Sequence, residues 1–109
     1  MVKNIFEIKK IAKMYKDELH RHKIRMIKII LYGPYARGNV SSYSGIDPVV
    51  ISPDLAKYHP IERQELLARL TMDIDAPLEV IGYTPKEFKS SGHTIFGQII
   101  RETGKLFYA

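Results

Sequence analysis

The residues best suited to chemistry lie between positions 33 and 52, in the stretch GPYARGNVSSYSGIDPVVIS. Gly33 follows an apolar run that predicts a buried strand, and Asp47 opens a second, β-branched run. A turn rich in glycine lets main-chain N–H groups approach a phosphate, and a carboxylate on the adjacent strand can hold Mg²⁺ against that phosphate. The order of these residues therefore predicts a site for a phosphate and its cation, provided that the two strands are neighbours.

This stretch resembles the motif of the minimal nucleotidyltransferase family of the polymerase-beta-like superfamily, which reads Gly-Ser, ten residues, then Asp-x-Asp. Gly33 matches the glycine, and Asp47 matches the second aspartate. The ten residues between the two parts of the motif run from Tyr35 to Ser44. The turn also continues as the family's turn usually does, with Tyr35, Ala36, Arg37 and Gly38. The match therefore covers the whole turn and the start of the next strand.

The resemblance extends over most of the chain, from the first strand to residues 106–108. Glu79 matches the family's third carboxylate, because it stands just before IGYTPKEF, which looks like the family's usual strand exit and helix start. Asp73 and Asp75 lie near Glu79 in the sequence, and only the family match prefers Glu79 to them. The fold that the resemblance implies is α/β (α+β), a small mixed sheet flanked by helices.

The resemblance also implies roles for these residues. In the family, the serine and the nearby backbone hold the triphosphate, the two aspartates share two Mg²⁺ ions, and the third carboxylate activates the acceptor hydroxyl. Asp47 and Glu79 are accordingly the expected catalytic residues and metal ligands, with Mg²⁺ as cofactor and ATP or another nucleoside triphosphate as donor. The expected nucleotide contacts come from the turn, at Gly33, Tyr35, Arg37 and Gly38.

Three departures from the family pattern fall at the centre of the motif. Pro34 stands where the family has the serine, Gly45 where it has the first aspartate, and Pro48 where it usually has leucine. Proline has no N–H and no hydroxyl, so Pro34 removes a phosphate ligand from the turn. Pro48 lacks a ladder donor, which predicts a bulge or an unpaired position beside Asp47. The chain thus keeps two of the three carboxylates.

The missing carboxylate predicts impaired activity, because nucleotidyl transfer depends on a two-metal site for charge neutralisation and in-line positioning. Loss of one bridging carboxylate is expected to cost a few kcal/mol, roughly 10² to 10⁴ in rate. The leading hypothesis is a Mg²⁺-dependent nucleotidyltransferase that transfers a nucleoside monophosphate to an unknown acceptor poorly or not at all. Whether the protein acts as an enzyme stays open at this point.

Two other functions are weighed against this one. Members of the family are commonly paired with a small helical partner of the HEPN class and act as its antitoxin, some by adenylating it. The resemblance therefore also allows a catalytically inactive antitoxin-type module, held to a HEPN-class partner by surface complementarity. A nucleic-acid binder would account for the basic charge, but the sequence has no recognition-helix motif and no interleaving of aromatic and basic residues, so nucleic acid is not the expected partner.

Composition and charge bound the class of protein without naming a ligand. With 109 residues, 45% of them hydrophobic and 27% charged, the chain is expected to form one domain over residues 1–109. Residues 1–40 hold ten Lys or Arg against three acids, whereas residues 41–109 hold seven against nine, so the first third of the chain attracts polyanions. The sequence has no apolar run as long as a membrane span and no cysteine, and it predicts a cytoplasmic protein.

The elements that must position the site follow from apolar spacing and capping signals. The pattern predicts a helix over residues 4–22, strands over residues 24–32, 47–51 and 78–83, and a helix that carries Leu66, Leu67 and Leu70. Thr84 to Glu87 spell a capping box with Pro85 at the first helical position, which predicts a short helix that holds Phe88.

The end of the chain predicts one more helix and one more strand. The helix is expected to present Ile95, Phe96, Ile99 and Ile100 on one face and to end at Gly104 as a left-handed C-cap. Residues 105–108 are expected to be extended and to pair with a sheet edge, either in the same chain or in a neighbour, which favours a homodimer.

Overall fold

The computed structural model describes residues 5–25, 28–32, 46–74, 76 and 78–108. In this part of the chain one four-stranded sheet has the order β3-β2-β1-β4. The strands are β1 at Lys28–Tyr32, β2 at Asp47–Ile51, β3 at Ile81–Tyr83 and β4 at Lys105–Tyr108. β1 is antiparallel to both of its neighbours, and β2 is parallel to β3. The predicted mixed sheet is confirmed.

Helices lie on both faces of this sheet, as predicted. They are α1 at Ile5–Arg21, α2 at Pro60–Arg69, α3 at Pro85–Ser90 and α4 at Ile95–Thr103, with 3₁₀ turns at Pro53–Lys57 and Ser91–His93. Ile29 and Leu31 of β1 face the cluster built by α1 and α2. The alternate residues Val49 and Ile51 of β2 pack with Ile100 of α4 on the other face. Because side chains alternate between the two faces of a strand, β1 and β2 each contribute residues to the apolar cluster on either face of the sheet.

The end of α1 explains why the first strand is shorter than the predicted span of residues 24–32. Lys23 has a φ of 64°, in the left-handed region. Its N–H donates to the His20 carbonyl at 3.0 Å, and the N–H of Ile24 donates to the Leu19 carbonyl at 2.9 Å. This is the bonding of a Schellman motif, in which the residue after the left-handed position packs against the last turn. Ile24 is accordingly buried against α1. This apolar residue therefore belongs to the cap of α1 and not to the strand.

The third strand also begins later than the predicted Leu78, and Pro48 accounts for the difference. Ile46 and Leu78 form an isolated parallel bridge, and Val49 and Ile81 resume the pairing in the same register. Between them stands Pro48, which has no N–H to offer to the neighbouring strand. The unpaired position predicted beside Asp47 is therefore found on the β3 side, while the pairing of β2 with β1 continues through Asp47.

Side chains of α2 cover the outer edge of β3. Gln64 donates from its amide to the Val80 carbonyl, and the Arg63 guanidinium donates to the Gly82 carbonyl at 3.3 Å. An open strand edge is a template for pairing with another chain, and these two bonds occupy the carbonyls that such a chain would use. The geometry therefore disfavours strand addition along β3.

Two expectations at the C-terminal end are wrong. Gly104 is extended, with φ −71° and ψ 146°, and not left-handed. A Cβ at this position would overlap the Ile100 carbonyl oxygen and lie 2.6 Å from Cγ2 of Ile30, so glycine is required where the chain leaves α4 beside β1. Ile95, placed by spacing on the apolar face of α4, is 80% exposed, whereas Ile100 is buried as predicted.

The capping box is confirmed, since the Thr84 hydroxyl accepts from the Glu87 N–H and the Glu87 carboxylate accepts from the Thr84 N–H. None of the helices in the described residues is long and apolar enough to cross a membrane.

Candidate functional site

Three polar side chains meet at one end of the sheet, on the face that carries α4. Tyr32 is the last residue of β1 and is paired with Asp47, the first residue of β2. Glu79 follows the Ile46–Leu78 bridge, and its N–H donates to the Ile46 carbonyl at 3.0 Å. β2 and β3 are parallel, so their first residues lie at the same end of the sheet, and the antiparallel β1 ends there. The chain thus brings Asp47 and Glu79 together from positions 32 residues apart in the sequence.

Alternation along the strands places these groups on one face. Asp47 shares its face with Val49 and Ile51, which pack against α4. Tyr32 packs at the margin of the same cluster. The apolar cluster therefore lies directly beside these polar side chains. We call Tyr32, Asp47 and Glu79 together the carboxylate end.

Like charges at the carboxylate end act on one another. Burial is the largest cause that raises the pKa of the half-buried Asp47, and the negative charge of Glu79 raises it further. Both effects penalise the ionised form of Asp47, since low polarity and a neighbouring anion each destabilise a carboxylate. A cation bound between the two carboxylates would remove this repulsion.

Tyr32 responds to the same charges. Burial, followed by Asp47, Glu79 and Tyr83, raises its pKa to about 12. Its hydroxyl therefore stays protonated at neutral pH and can donate a hydrogen bond.

An open cleft of about 390 Å³ adjoins the carboxylate end. Tyr32, Leu78 and Glu79 line it on the side of the sheet, and Gln64 and Ala68 line it from α2. Its lining is mostly apolar, and its polar side chains are Tyr32 and Glu79 from the sheet and Gln64 from α2. Its size falls within the range of small-molecule sites, at about 300–1,000 Å³.

The carboxylate oxygens of Asp47 and Glu79 suit a hard cation whose remaining ligands are water molecules and phosphate oxygens. Carboxylate oxygens are preferred by Mg²⁺, which is usually bound through one or two of them together with water and substrate phosphates. The described residues contain no group of three or more His, Cys, Asp or Glu that could enclose a metal ion. Asp47 and Glu79 therefore fit a Mg²⁺ ion that a phosphate ligand helps to hold, and they do not fit an all-protein cage.

The predicted phosphate turn lies outside the described residues. This applies to the four expected nucleotide contacts and to the two departures beside them: Gly33, Tyr35, Arg37, Gly38, Pro34 and Gly45. Of the alternative acids near Glu79, Asp75 also lies outside this part of the chain, and Asp73 is exposed in the turn after α2. The catalytic and metal-binding roles of Asp47 and Glu79 stay predictions.

Tyr32 was not among the residues predicted for the site. A tyrosine at the end of an isoleucine-rich strand is ordinarily a packing residue, and nothing in its spacing indicates a polar neighbour. The available signal was its position directly before the motif glycine, opposite the aspartate that opens the next strand.

Comparison with solved structures identifies the fold. The crystal structure of a toxin–antitoxin complex with AMP-PNP matches with a TM-score of 0.63 and 24% identity, over 89% of this chain and 72% of that chain. A candidate nucleotidyltransferase from Sulfolobus solfataricus matches with a TM-score of 0.65 and 17% identity, over 93% and 79% of the two chains. The chain has the minimal nucleotidyltransferase fold.

A further structure with this minimal nucleotidyltransferase fold is a mutant of the toxin–antitoxin MntA-HpeT in which two aspartates two positions apart are replaced by glutamate. It matches with a TM-score of 0.59 and 25% identity, over 92% of this chain and 71% of that chain. No protein-family model matches the sequence, and the comparison with curated proteins gives no significant match. The minimal nucleotidyltransferase fold is thus recognised here from the structure.

Proposed function

We propose that this protein binds a nucleoside triphosphate with Mg²⁺ at Asp47 and Glu79, and that it transfers the nucleoside monophosphate to an acceptor at a low rate. The observation that carries the proposal is the convergence of the two carboxylates on one face at one end of the sheet. Burial and, secondly, the charge of Glu79 raise the pKa of Asp47, and a cation bound beside Asp47 would offset both effects. The open cleft beside Glu79 offers room for a substrate group.

The solved structures support the same function. One neighbour was crystallised with AMP-PNP, a triphosphate analogue, and another is named as a candidate nucleotidyltransferase. At 24% and 17% identity these likenesses establish the fold, and the nucleotide is carried over to this chain by the proposal alone.

The expected rate is low because of two residues in the motif. A bound Mg²⁺ supplies charge neutralisation at the phosphates. Gly45 replaces the carboxylate that would share the metal ions, and Pro34 removes a hydroxyl and an N–H from the turn. Asp47 and Glu79 retain binding of the cation, whereas the in-line geometry for transfer is weakened.

Restoration of the motif tests this proposal. Transfer of labelled adenylate from ATP is measured for the chain as given and for Pro34→Ser combined with Gly45→Asp. We expect the restored variant to gain about 10²-fold or more in rate, in line with the recovery of an electrostatic catalytic group. A third variant that adds Asp47→Asn to the restored motif serves as control and should lose the gain. Robust transfer by the unmodified chain, equal to that of the restored variant, would refute the impairment.

A second candidate function is that of an antitoxin-type module, with or without transfer activity. Two of the neighbouring structures are toxin–antitoxin complexes. The exposed side of α1 carries Lys9, Lys10 and Lys13, with Asp17 as its one exposed acid. Phe6 and Met14 of this side are 78% and 40% exposed. A basic surface with exposed apolar side chains suits a protein partner with an acidic, partly apolar surface.

Charge reversal on α1 tests the second function. Lys10→Glu with Lys13→Glu should weaken association with a HEPN-class protein encoded by a neighbouring gene, and most strongly at low salt. Lys86→Glu with Lys89→Glu provides the same charge change on exposed positions of α3. Equal affinities for the two double variants would exclude α1 from the interface. The homodimer, the cytoplasmic location, the single domain over residues 1–109 and the absence of a nucleic-acid partner stay predictions.

A further inference from the structure

Tyr32 lies at the carboxylate end and packs at the margin of the apolar cluster beside it. It closes β1 opposite Asp47, and its half-buried side chain lines the same cleft as Glu79. No other aromatic side chain among the described residues lines this cleft.

The hydroxyl of Tyr32 is a neutral donor, since the ordinary pKa of a tyrosine is about 10 and its O–H is retained at neutral pH. A triphosphate with its cation brings anionic oxygens to the same place, and a neutral O–H can donate to one of them without competing for the cation.

The sequence around Tyr32 explains why such a donor is useful in this chain. Pro34, two residues further on, has neither hydroxyl nor N–H, so the turn lacks a donor at that position. A donor at the end of β1 stands at the entrance of the same turn. Its position is fixed by the strand pairing, which lowers the entropy cost of the hydrogen bond.

We propose that Tyr32 is a nucleotide-binding residue whose hydroxyl donates a hydrogen bond to a phosphate oxygen of the triphosphate held at Asp47 and Glu79. This inference rests on the proposed binding of a nucleotide at the carboxylate end. It assigns to the end of β1 a contact that the family motif places in the following turn.

Removal of the hydroxyl alone tests the assignment. In Tyr32→Phe the ring is kept, so the packing against the apolar cluster is preserved. Calorimetric titration with AMP-PNP and Mg²⁺ should show about tenfold weaker binding than the unmodified protein, as expected for one hydrogen bond to a charged group. Binding of Mn²⁺ without nucleotide, followed by electron paramagnetic resonance, should change less than twofold, because the phenol does not ligate the cation.

Tyr58→Phe is the matched control. Tyr58 is also partly buried, but it follows the 3₁₀ turn at Pro53–Lys57 and is not among the groups that act on Tyr32. We expect this variant to bind AMP-PNP as the unmodified protein does. Thermal unfolding of both variants confirms that the fold is intact.

Three results would overturn the assignment. Equal AMP-PNP affinity of Tyr32→Phe and the unmodified protein would reduce Tyr32 to a packing residue. An equal loss of Mn²⁺ and of AMP-PNP binding would show that the hydroxyl orients a carboxylate and does not contact phosphate. Absence of AMP-PNP binding by the unmodified protein would remove the proposed function together with this inference, which distinguishes that failure from the first two.

Discussion

Asp47 is held at a cost to stability, a condition that is common among binding residues. It is half-buried beside Glu79, and both conditions disfavour its charged form. Groups kept in a strained electrostatic state are common at functional sites, where ligand binding relieves the strain. At the scale of single residues the charged form of Asp47 is therefore expected to destabilise the fold unless a ligand offsets its charge.

Replacement of Asp47 by asparagine tests this cost. The folded pKa of Asp47 lies above its unfolded value of about 3.9, so the penalty is absent below the unfolded pKa and is complete once the pH exceeds the folded pKa. Asp47→Asn should therefore raise the free energy of unfolding at pH 7 without Mg²⁺, and the gain should vanish below about pH 4. Chemical denaturation at several pH values measures it. Asp73→Asn, at an exposed position, is the control; a destabilised Asp47→Asn protein would contradict the argument.

At the scale of elements, one ion pair fixes α2, β3 and α3 to one another. Arg63 is 6% exposed, and its guanidinium donates to both carboxylate oxygens of Glu87 at 2.6 and 3.3 Å. It also donates to the Gly82 carbonyl of β3. Glu87 meanwhile caps α3 through Thr84. The three elements beside the cleft are thus held by a single connected set of hydrogen bonds.

Loss of the Glu87 charge should destabilise the protein in a pH-dependent way. The hydrogen bond from Arg63 is the largest cause that lowers the pKa of Glu87. The stabilisation is therefore complete above the unfolded pKa of about 4.3 and is lost as the pH falls through the folded pKa. Glu87→Gln keeps a side chain that can complete the capping box. We expect it to cost about 1 kcal/mol at pH 7, at the low end for a charged hydrogen bond because the Glu87 side chain is 42% exposed.

Urea unfolding at pH 7 and at pH 3 measures this effect. The difference between Glu87→Gln and the unmodified protein should shrink at the lower pH. Glu65→Gln, an exposed acid on the same helix as Arg63, is the control and should change little at either pH. An unfolding difference for Glu87→Gln that is the same at both pH values would show that the charge does not matter.

The sequence predicted which elements exist better than where they begin. Apolar spacing and the capping box located the helices and strands because those signals are local. The late start of β1 depends on Lys23 in a left-handed conformation, where glycine is the usual residue, so the cap could not be recognised. Gly104 was assigned a left-handed conformation, whereas the glycine is required by the close approach of the Ile100 carbonyl oxygen and of Ile30. Such contacts arise from tertiary packing, which spacing does not report.

The candidate site was predicted in part, for a related reason. Asp47 follows from the motif, and Glu79 follows only from the family match, because the sequence does not state that residues so far apart share one end of a sheet. Tyr32 was not singled out because its place opposite Asp47 arises from the strand register. The register is set by the pairing of whole strands and is invisible to a local motif.

At the scale of the whole molecule, the two proposed surfaces lie on opposite faces of the sheet. α1 packs on the face of Ile29 and Leu31, whereas the carboxylate end lies on the face of Val49 and Ile51. A partner that contacts only the exposed side of α1 would therefore leave the proposed nucleotide site accessible. Charge reversal on α1 is accordingly expected to leave AMP-PNP binding unchanged, so that the two functions can be tested separately.

A double-mutant cycle at the carboxylate end shows whether Asp47 and Glu79 together hold one cation for the nucleotide. AMP-PNP affinity in the presence of Mg²⁺ is measured by calorimetry for the unmodified protein, Asp47→Asn, Glu79→Gln and the double variant. If both carboxylates hold one cation, each single change should weaken binding about tenfold or more, and the double variant should lose no more than the weaker-binding single variant. Losses that add independently, or a double variant that binds as well as the unmodified protein, would contradict a shared site.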